Sequence, residues 1–253
     1  MRRYEHQPDQ EWIERRYERS RDGVDDVRRT VERVGRQKGK PGVFGDAMFT
    51  VLQAVAYGWA LGEPVGGLLA WLEEAAGWVD EALDRGQALD DGLAERFLWT
   101  ATLAGAWPAA ARVAALVPDR VEGLEASDPL SRHYLIGLAA LVGGDLEGAA
   151  AAAGAMREAH ADPTVPPYTI DAFAHLDEVL AAAAARDPGA LSGAVARRSA
   201  AVAGKYGASI EERRNMHGLL DLRASAVVAC AVAAGVVPEV SSDYVAIELL
   251  AGR

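Results

Sequence analysis

The chain has 253 residues, half of them hydrophobic, with 26 basic against 37 acidic side chains and a formal net charge of -11. That length and apolar content suffice for a sizeable core and exclude a disordered chain. The negative balance argues against nucleic acid as a partner, because neutralising phosphate needs a clustered positive surface.

The first forty residues differ from the rest. They carry twelve basic and nine acidic side chains, which leaves residues 41–253 with 14 basic against 28 acidic. The pattern predicts a mixed-sign helix near 8–35 that runs into a Gly/Lys-rich linker, G-R-Q-K-G-K-P-G over residues 35–42. The expected organisation is a charged N-terminal helix and linker, 1–40, followed by a helical domain, 41–253. Such a helix is either simply an exposed charged element or an arm that binds a partner. The linker superficially resembles a phosphate loop, but its spacing is off by one residue and Pro41 stands where a hydroxyl would hold magnesium. No hydrophobic segment follows the first methionine, so a cleavable secretion signal is not expected. The longest apolar stretch, 224–237, is short of the roughly 20 residues that cross a bilayer. A cytoplasmic location and no membrane partner follow as expectations.

Helical periodicity continues along the chain, and alternating strand patterns are missing. After a helix near 46–61, the apolar positions Leu68, Trp71, Leu72, Ala75, Ala76, Val79 and Leu83 recur at helical spacing. Glu73, Glu74, Asp80, Glu81 and Asp84 gather on the opposite face. Further helices are predicted near 93–105, 108–117, 129–142, 145–160, 169–186, 188–205 and 218–234. Asp128 before Pro129 and Asp187 before Pro188 read as N-caps followed by a proline at the first helical position. Ser209 and Glu212 match a capping box, Gly235 reads as a helix stop, and residues 162–167, with three prolines, read as a loop. Turns at Gly62, Gly105, Gly143 and Arg186 separate helix pairs about forty residues apart. The fold class is therefore all-α. Its antiparallel helical hairpins stack as an array resembling tetratricopeptide-like folds, or else form an irregular helical bundle.

Reactive groups are sparse. His6, His133, His160, His175 and His217 form no H-x-x-x-H pair and sit among no cysteines, so no metal site is expected. Cys230, the single cysteine, lies in the apolar run A-V-V-A-C-A-V over residues 226–232 and reads as a buried hydrophobe in a reducing compartment. Asp171, His175, Asp177 and Glu178 are the nearest approach to an acid/base cluster, with Asp171 and His175 one helical turn apart. An exposed i, i+4 pair explains them equally well. No G-x-S-x-G elbow occurs. Trp59, Trp71, Trp78, Trp99 and Trp107 fall at helical positions beside alanine and leucine and are expected to pack in the core. No cofactor and no catalysis are expected.

The C-terminal third carries H-G-L-L-D-L-R-A-S-A-V-V-A-C-A over residues 217–231, then G-V-V-P-E-V-S-S-D-Y over 235–244 and the pair Leu249 and Leu250. Over these segments the chain resembles the bacterial immunity protein 49 family, whose members protect cells from polymorphic toxins. The resemblance implies an antitoxin that binds and neutralises a cognate toxin domain without catalysis of its own. It also implies that Val240 and Tyr244 pin the tail onto the preceding helix and that Asp243 hydrogen-bonds locally. The acidic face of Glu73, Glu74, Asp80, Glu81 and Asp84 is either a solvated surface or the site that holds a basic toxin. A helical-repeat adaptor that reads a peptide or small effector is the alternative, and an enzyme using Asp171 and His175 ranks behind it.

Overall fold

The computed structural model describes residue 2 and residues 4–34 and 42–250. The protein is all-α. Its helices are α1 (Gln10–Val34), α2 (Gly42–Leu61), α3 (Val65–Asp84), α4 (Asp91–Leu103), α5 (Trp107–Ala114), α6 (Val117–Arg120) and α7 (Pro129–Gly143). They continue as α8 (Leu146–His160), α9 (Pro167–Phe173), α10 (Leu176–Ala185), α11 (Pro188–Gly207), α12 (Leu222–Ala233) and α13 (Ile247–Leu250). Among the described residues the extended pairing is a two-residue parallel ladder, in which Leu89 and Asp90 lie beside Val121 and Glu122.

Helices that follow one another in the chain pack on one another: α1 on α2, α2 on α3, α7 on α8, α10 on α11. The stack closes because α12 returns to lie against α4, α7 and α10. From Leu222 to Ala231 its side chains are buried, Arg223 only partly, so this helix is covered on nearly every face and is central to the packing. Burial pushes the Cys230 thiol up to about 12, which leaves it a packing group. At Gly137 a Cβ would overlap the Leu180 side chain and press on Ala152, so the glycine lets α7 approach α8 and α10 closely.

Aspartates start the helices. The side chains of Asp90, Asp128, Asp145 and Asp187 accept the free N–H of Leu93, Ser131, Gly148 and Ala190 at 2.7–3.0 Å, satisfying groups that the helix leaves open. Gly235, with φ of 81°, stops α12 as expected. The division at residue 40 and the linker and phosphate-loop readings fall on residues 35–41, outside the described ones. Within the described part, α1 gives Ile13, Val24 and Val31 to the main core, so one face of this charged helix is apolar and covered.

Three expected elements differ. The single helix near 169–186 is two helices, because the chain breaks at His175, whose φ is 61°. The guanidinium of Arg198 from α11 occupies the break, donating to the carbonyls of Ala172 and Ala174 at 2.9 Å each. These bonds replace partners that a continuous helix would have supplied. The helix expected from 218 starts at Leu222, where Asp221 caps it by accepting from Ala224 N. Ser209 Oγ accepts from Glu212 N at 3.2 Å, but the cap opens a three-residue 3₁₀ turn and no longer helix.

Candidate functional site

The acidic face predicted on α3 lies on the surface, but most of its charge is matched from within. Glu74 receives both Nε and Nη2 of Arg28 from α1, the latter at 2.6 Å. Arg112 from α5 spans Asp80 and Asp84 at 2.7 and 2.6 Å, and these bonds hold its guanidinium above the usual arginine range. Glu81 pairs with Arg85, and Glu73 is engaged as well. Fork-shaped guanidinium contacts of this kind clamp α1 and α5 onto α3.

The residues around His175 are not brought together as the sequence spacing suggested. The backbone break turns His175 toward Glu178, with Nδ1 2.8 Å from Oε1, and Arg197 Nε donates to the other oxygen of Glu178 at 2.6 Å. These two contacts, His175 first, hold the Glu178 carboxyl below the usual carboxylate range despite some burial. Asp177 is buried and faces Arg157 at 3.3 Å and His160 at 3.9 Å. Asp171 points elsewhere, into a surface hollow with Lys205. Of the four residues the structure thus pairs His175 with Glu178, while Asp177 faces α8 and Asp171 lines the hollow.

A different set of polar groups converges at the N-terminal end of α12. Asp221, while capping that helix, also accepts Arg198 Nε at 2.6 Å, and both side chains are about 95 % buried, with 5 % and 4 % exposed. Two residues on, Arg223 donates to Glu95 of α4 at 3.0 Å; these side chains are 20 % and 16 % exposed. The Arg223 guanidinium lies over Phe173 at 4.4 Å and near Trp99 at 5.4 Å. Tyr134 joins this group: its hydroxyl accepts from Trp99 Nε1 and donates to the Arg223 carbonyl, both at 3.0 Å. Burial raises the Glu95 carboxyl above its ordinary value, while Arg223 pulls the other way.

His217 belongs to the same group, its ring edge-on to Trp99. Enclosure by protein, with Arg223 next in effect, lowers its pKa from 6.5 to about 4. The sign of its linkage follows: an imidazole whose folded pKa is depressed binds its proton more readily in the unfolded chain. Stability is therefore full above about pH 6.5 and falls as the pH drops toward 4, by at most about 3 kcal/mol from this group. His217→Gln is expected to flatten that part of the curve in urea denaturation between pH 7 and 4.5. An unchanged pH dependence, or a His217 ring that titrates near 6.5 by NMR, would show that the ring is freely hydrated.

The tail closes on the same region. Tyr244 is buried, yet its hydroxyl meets His6 Nδ1 at 3.0 Å, and its ring packs against Tyr4 and His6. It is tied to the N-terminal segment as much as to α12. Val240 is half-buried against the core. Asp243 bonds over a long range, its carbonyl accepting Trp59 Nε1 at 2.6 Å. Ser242 Oγ accepts from the N–H groups of Tyr244 and Val245, and Ser225 Oγ from that of Ala246.

Sequence reasoning singled out none of Glu95, Tyr134 and Arg198, which lie far apart along the chain. The available signal was a charged residue inside an otherwise small and apolar helical run, as Arg198 is in α11. Among the described residues no group of three or more His, Cys, Asp or Glu side chains is placed to hold a metal ion. None of the helices described is long and apolar enough to cross a membrane. Compared with protein-family models, curated proteins and solved structures, the chain matches none.

Proposed function

We propose that this chain is an immunity protein that binds and neutralises a cognate bacterial toxin domain by surface contact. The observation that carries the reading is the C-terminal resemblance, whose residues act as one unit. Asp221 N of the first segment donates to the Tyr244 carbonyl of the second at 2.7 Å, while Asp221 holds Arg198 of α11, Ser242 meets Ser199 of α11, the Asp243 carbonyl accepts from Trp59 of α2, and Arg223 reaches Glu95 of α4. A rigid scaffold of this kind presents its surface without ordering costs on binding, which favours tight inhibition. The large negative charge of the body supports a basic partner, attracted over distance and held by complementary contacts.

Co-expression with the toxin encoded beside its gene is expected to rescue growth, and the two chains should co-purify. Raising salt from 50 to 500 mM should weaken the complex roughly tenfold, because the Debye length shortens from more than 10 Å to a few ångströms. Titration calorimetry at both salt concentrations reads this directly. Failure to co-purify with the neighbouring toxin would remove the immunity reading, and a salt-insensitive complex would remove its electrostatic part. Reversing Glu73, Glu74, Asp80, Glu81 and Asp84 to lysine tests the α3 face, but the variant also disrupts the clamps to Arg28 and Arg112. Its stability must be measured alongside its affinity.

A further inference from the structure

A hollow of about 580 Å³ opens between α9 and the C-terminal half of α11. Its floor is made of small residues, Ala201, Gly204 and Ala208, and its rim carries Tyr168, Asp171 and Glu212. Tyr168 is 72 % exposed, and Ile210, two residues from both Ala208 and Glu212, is 45 % exposed. A large aromatic ring standing out beside a concave surface is the usual composition of a protein-binding hot spot.

The charges in the hollow differ from those on α3. There, Glu74, Asp80, Glu81 and Asp84 are each taken by an arginine of the same molecule. The carboxylates of Asp171 and Glu212 make no direct hydrogen bond or arginine clamp among the described residues, and the positive charge they act on is that of Lys205. Lys205 feels both carboxylates while its Nζ donates to the Tyr168 carbonyl at 3.2 Å, so a single positive charge faces two negative ones. Two carboxylates that share one lysine leave the hollow net negative, and beside an exposed aromatic face, over a floor of small residues, they complement a second cation with an extended stem.

We propose that this hollow seats an arginine or lysine side chain of the protein partner, its charge between Asp171 and Glu212 and its stem or guanidinium plane against Tyr168. The identity of the partner rests on the immunity reading, but the chemistry of the seat does not. A test independent of any toxin uses the blocked tripeptide acetyl-Gly-Arg-Gly-amide, titrated into the full chain and followed by amide NMR. Shifts are expected at Tyr168, Gly204, Lys205 and Ala208. The same peptide with neutral citrulline in place of arginine should produce shifts at least threefold smaller, as should the Asp171→Asn/Glu212→Gln variant. Equal shifts with citrulline, or none with arginine, would overturn the seat.

A second arm uses the toxin encoded beside the gene. If the wild-type chain binds it, the double variant and Tyr168→Ala should each weaken the complex at least tenfold while leaving the far-ultraviolet circular dichroism unchanged. Undiminished binding by both variants would overturn the proposal. A wild-type chain that binds no toxin would defeat the immunity reading alone, with the peptide titration still deciding the seat.

Discussion

Replacing Arg198 by alanine is expected to cost about 3–5 kcal/mol of folding stability, the largest effect of any single exchange at the α12 junction. The side chain is nearly fully buried and makes three bonds at once: to Asp221, to the Ala172 carbonyl and to the Ala174 carbonyl. Removing it leaves a carboxylate without its counter-charge and two main-chain acceptors without donors, each of which bears its own desolvation cost. Against a total of about 5–15 kcal/mol for a typical domain, such a loss brings the protein near the edge of folding. Arg198→Lys retains the charge but not the fork, and should recover less than half of the loss. The double variant Arg198→Met/Asp221→Asn should be less damaging than Arg198→Ala, because asparagine still caps α12 and no buried charge is stranded. Urea titrations of the four proteins decide the matter. A cost below about 1 kcal/mol for Arg198→Ala would mean that water enters the break at His175 and replaces the guanidinium.

The second large effect is expected at Trp59. Its ring is 1 % exposed, its N–H reaches the Asp243 carbonyl, and the Arg2 guanidinium lies 3.5 Å from its centroid. Trp59→Ala removes a large packed volume and should cost about 3–5 kcal/mol. Trp59→Phe separates the two roles. It retains most of the ring for Arg2 and the core but deletes the donor, so about 1–2 kcal/mol is expected, with the loss concentrated in the tail. Hydrogen exchange provides the discriminating readout: amides of residues 244–246 should exchange faster in Trp59→Phe than in wild type, while those of α7 and α8 should not change. Uniform acceleration along the whole chain would instead show that the indole contributes only to general core packing.

The periodic features of this architecture could be read from the residues themselves. Leu68, Leu72, Ala75, Ala76 and Val79 are buried on α3 as their spacing requires, and Asp128 and Asp187 cap the helices they precede. These features are local, set by 3.6 residues per turn and by four open N–H groups at each helix start. The break at His175 escapes such reasoning, because an alanine-rich stretch with no glycine or proline favours continuing the helix. The partner that satisfies the break lies on another helix, in the two bonds of Arg198 to the Ala172 and Ala174 carbonyls. The acidic face of α3 was legible as a pattern of like charge. Its compensation was not, since Arg28 and Arg112 come from elements 46 and 32 residues away. Likewise Glu95 and Arg223 are separated by 128 residues, and only packing α12 against α4 brings them together.

One consequence concerns the order of assembly. The segments around residues 2–6 and 244–248 are clasped to each other by polar contacts: Arg2 with Glu248, and His6 with Tyr244, pairs 246 and 238 positions apart in the chain. Closing so long a loop is entropically costly and is repaid only when both sides of the clasp are present. On a translating ribosome the helical hairpins can form as they emerge, whereas the clasp must wait until residues 242–248 clear the exit tunnel. Maturation would then be a late, all-at-once event, and a nascent chain stalled before that point would hold Tyr4, His6 and Trp59 uncovered, exposed to chaperones or proteases.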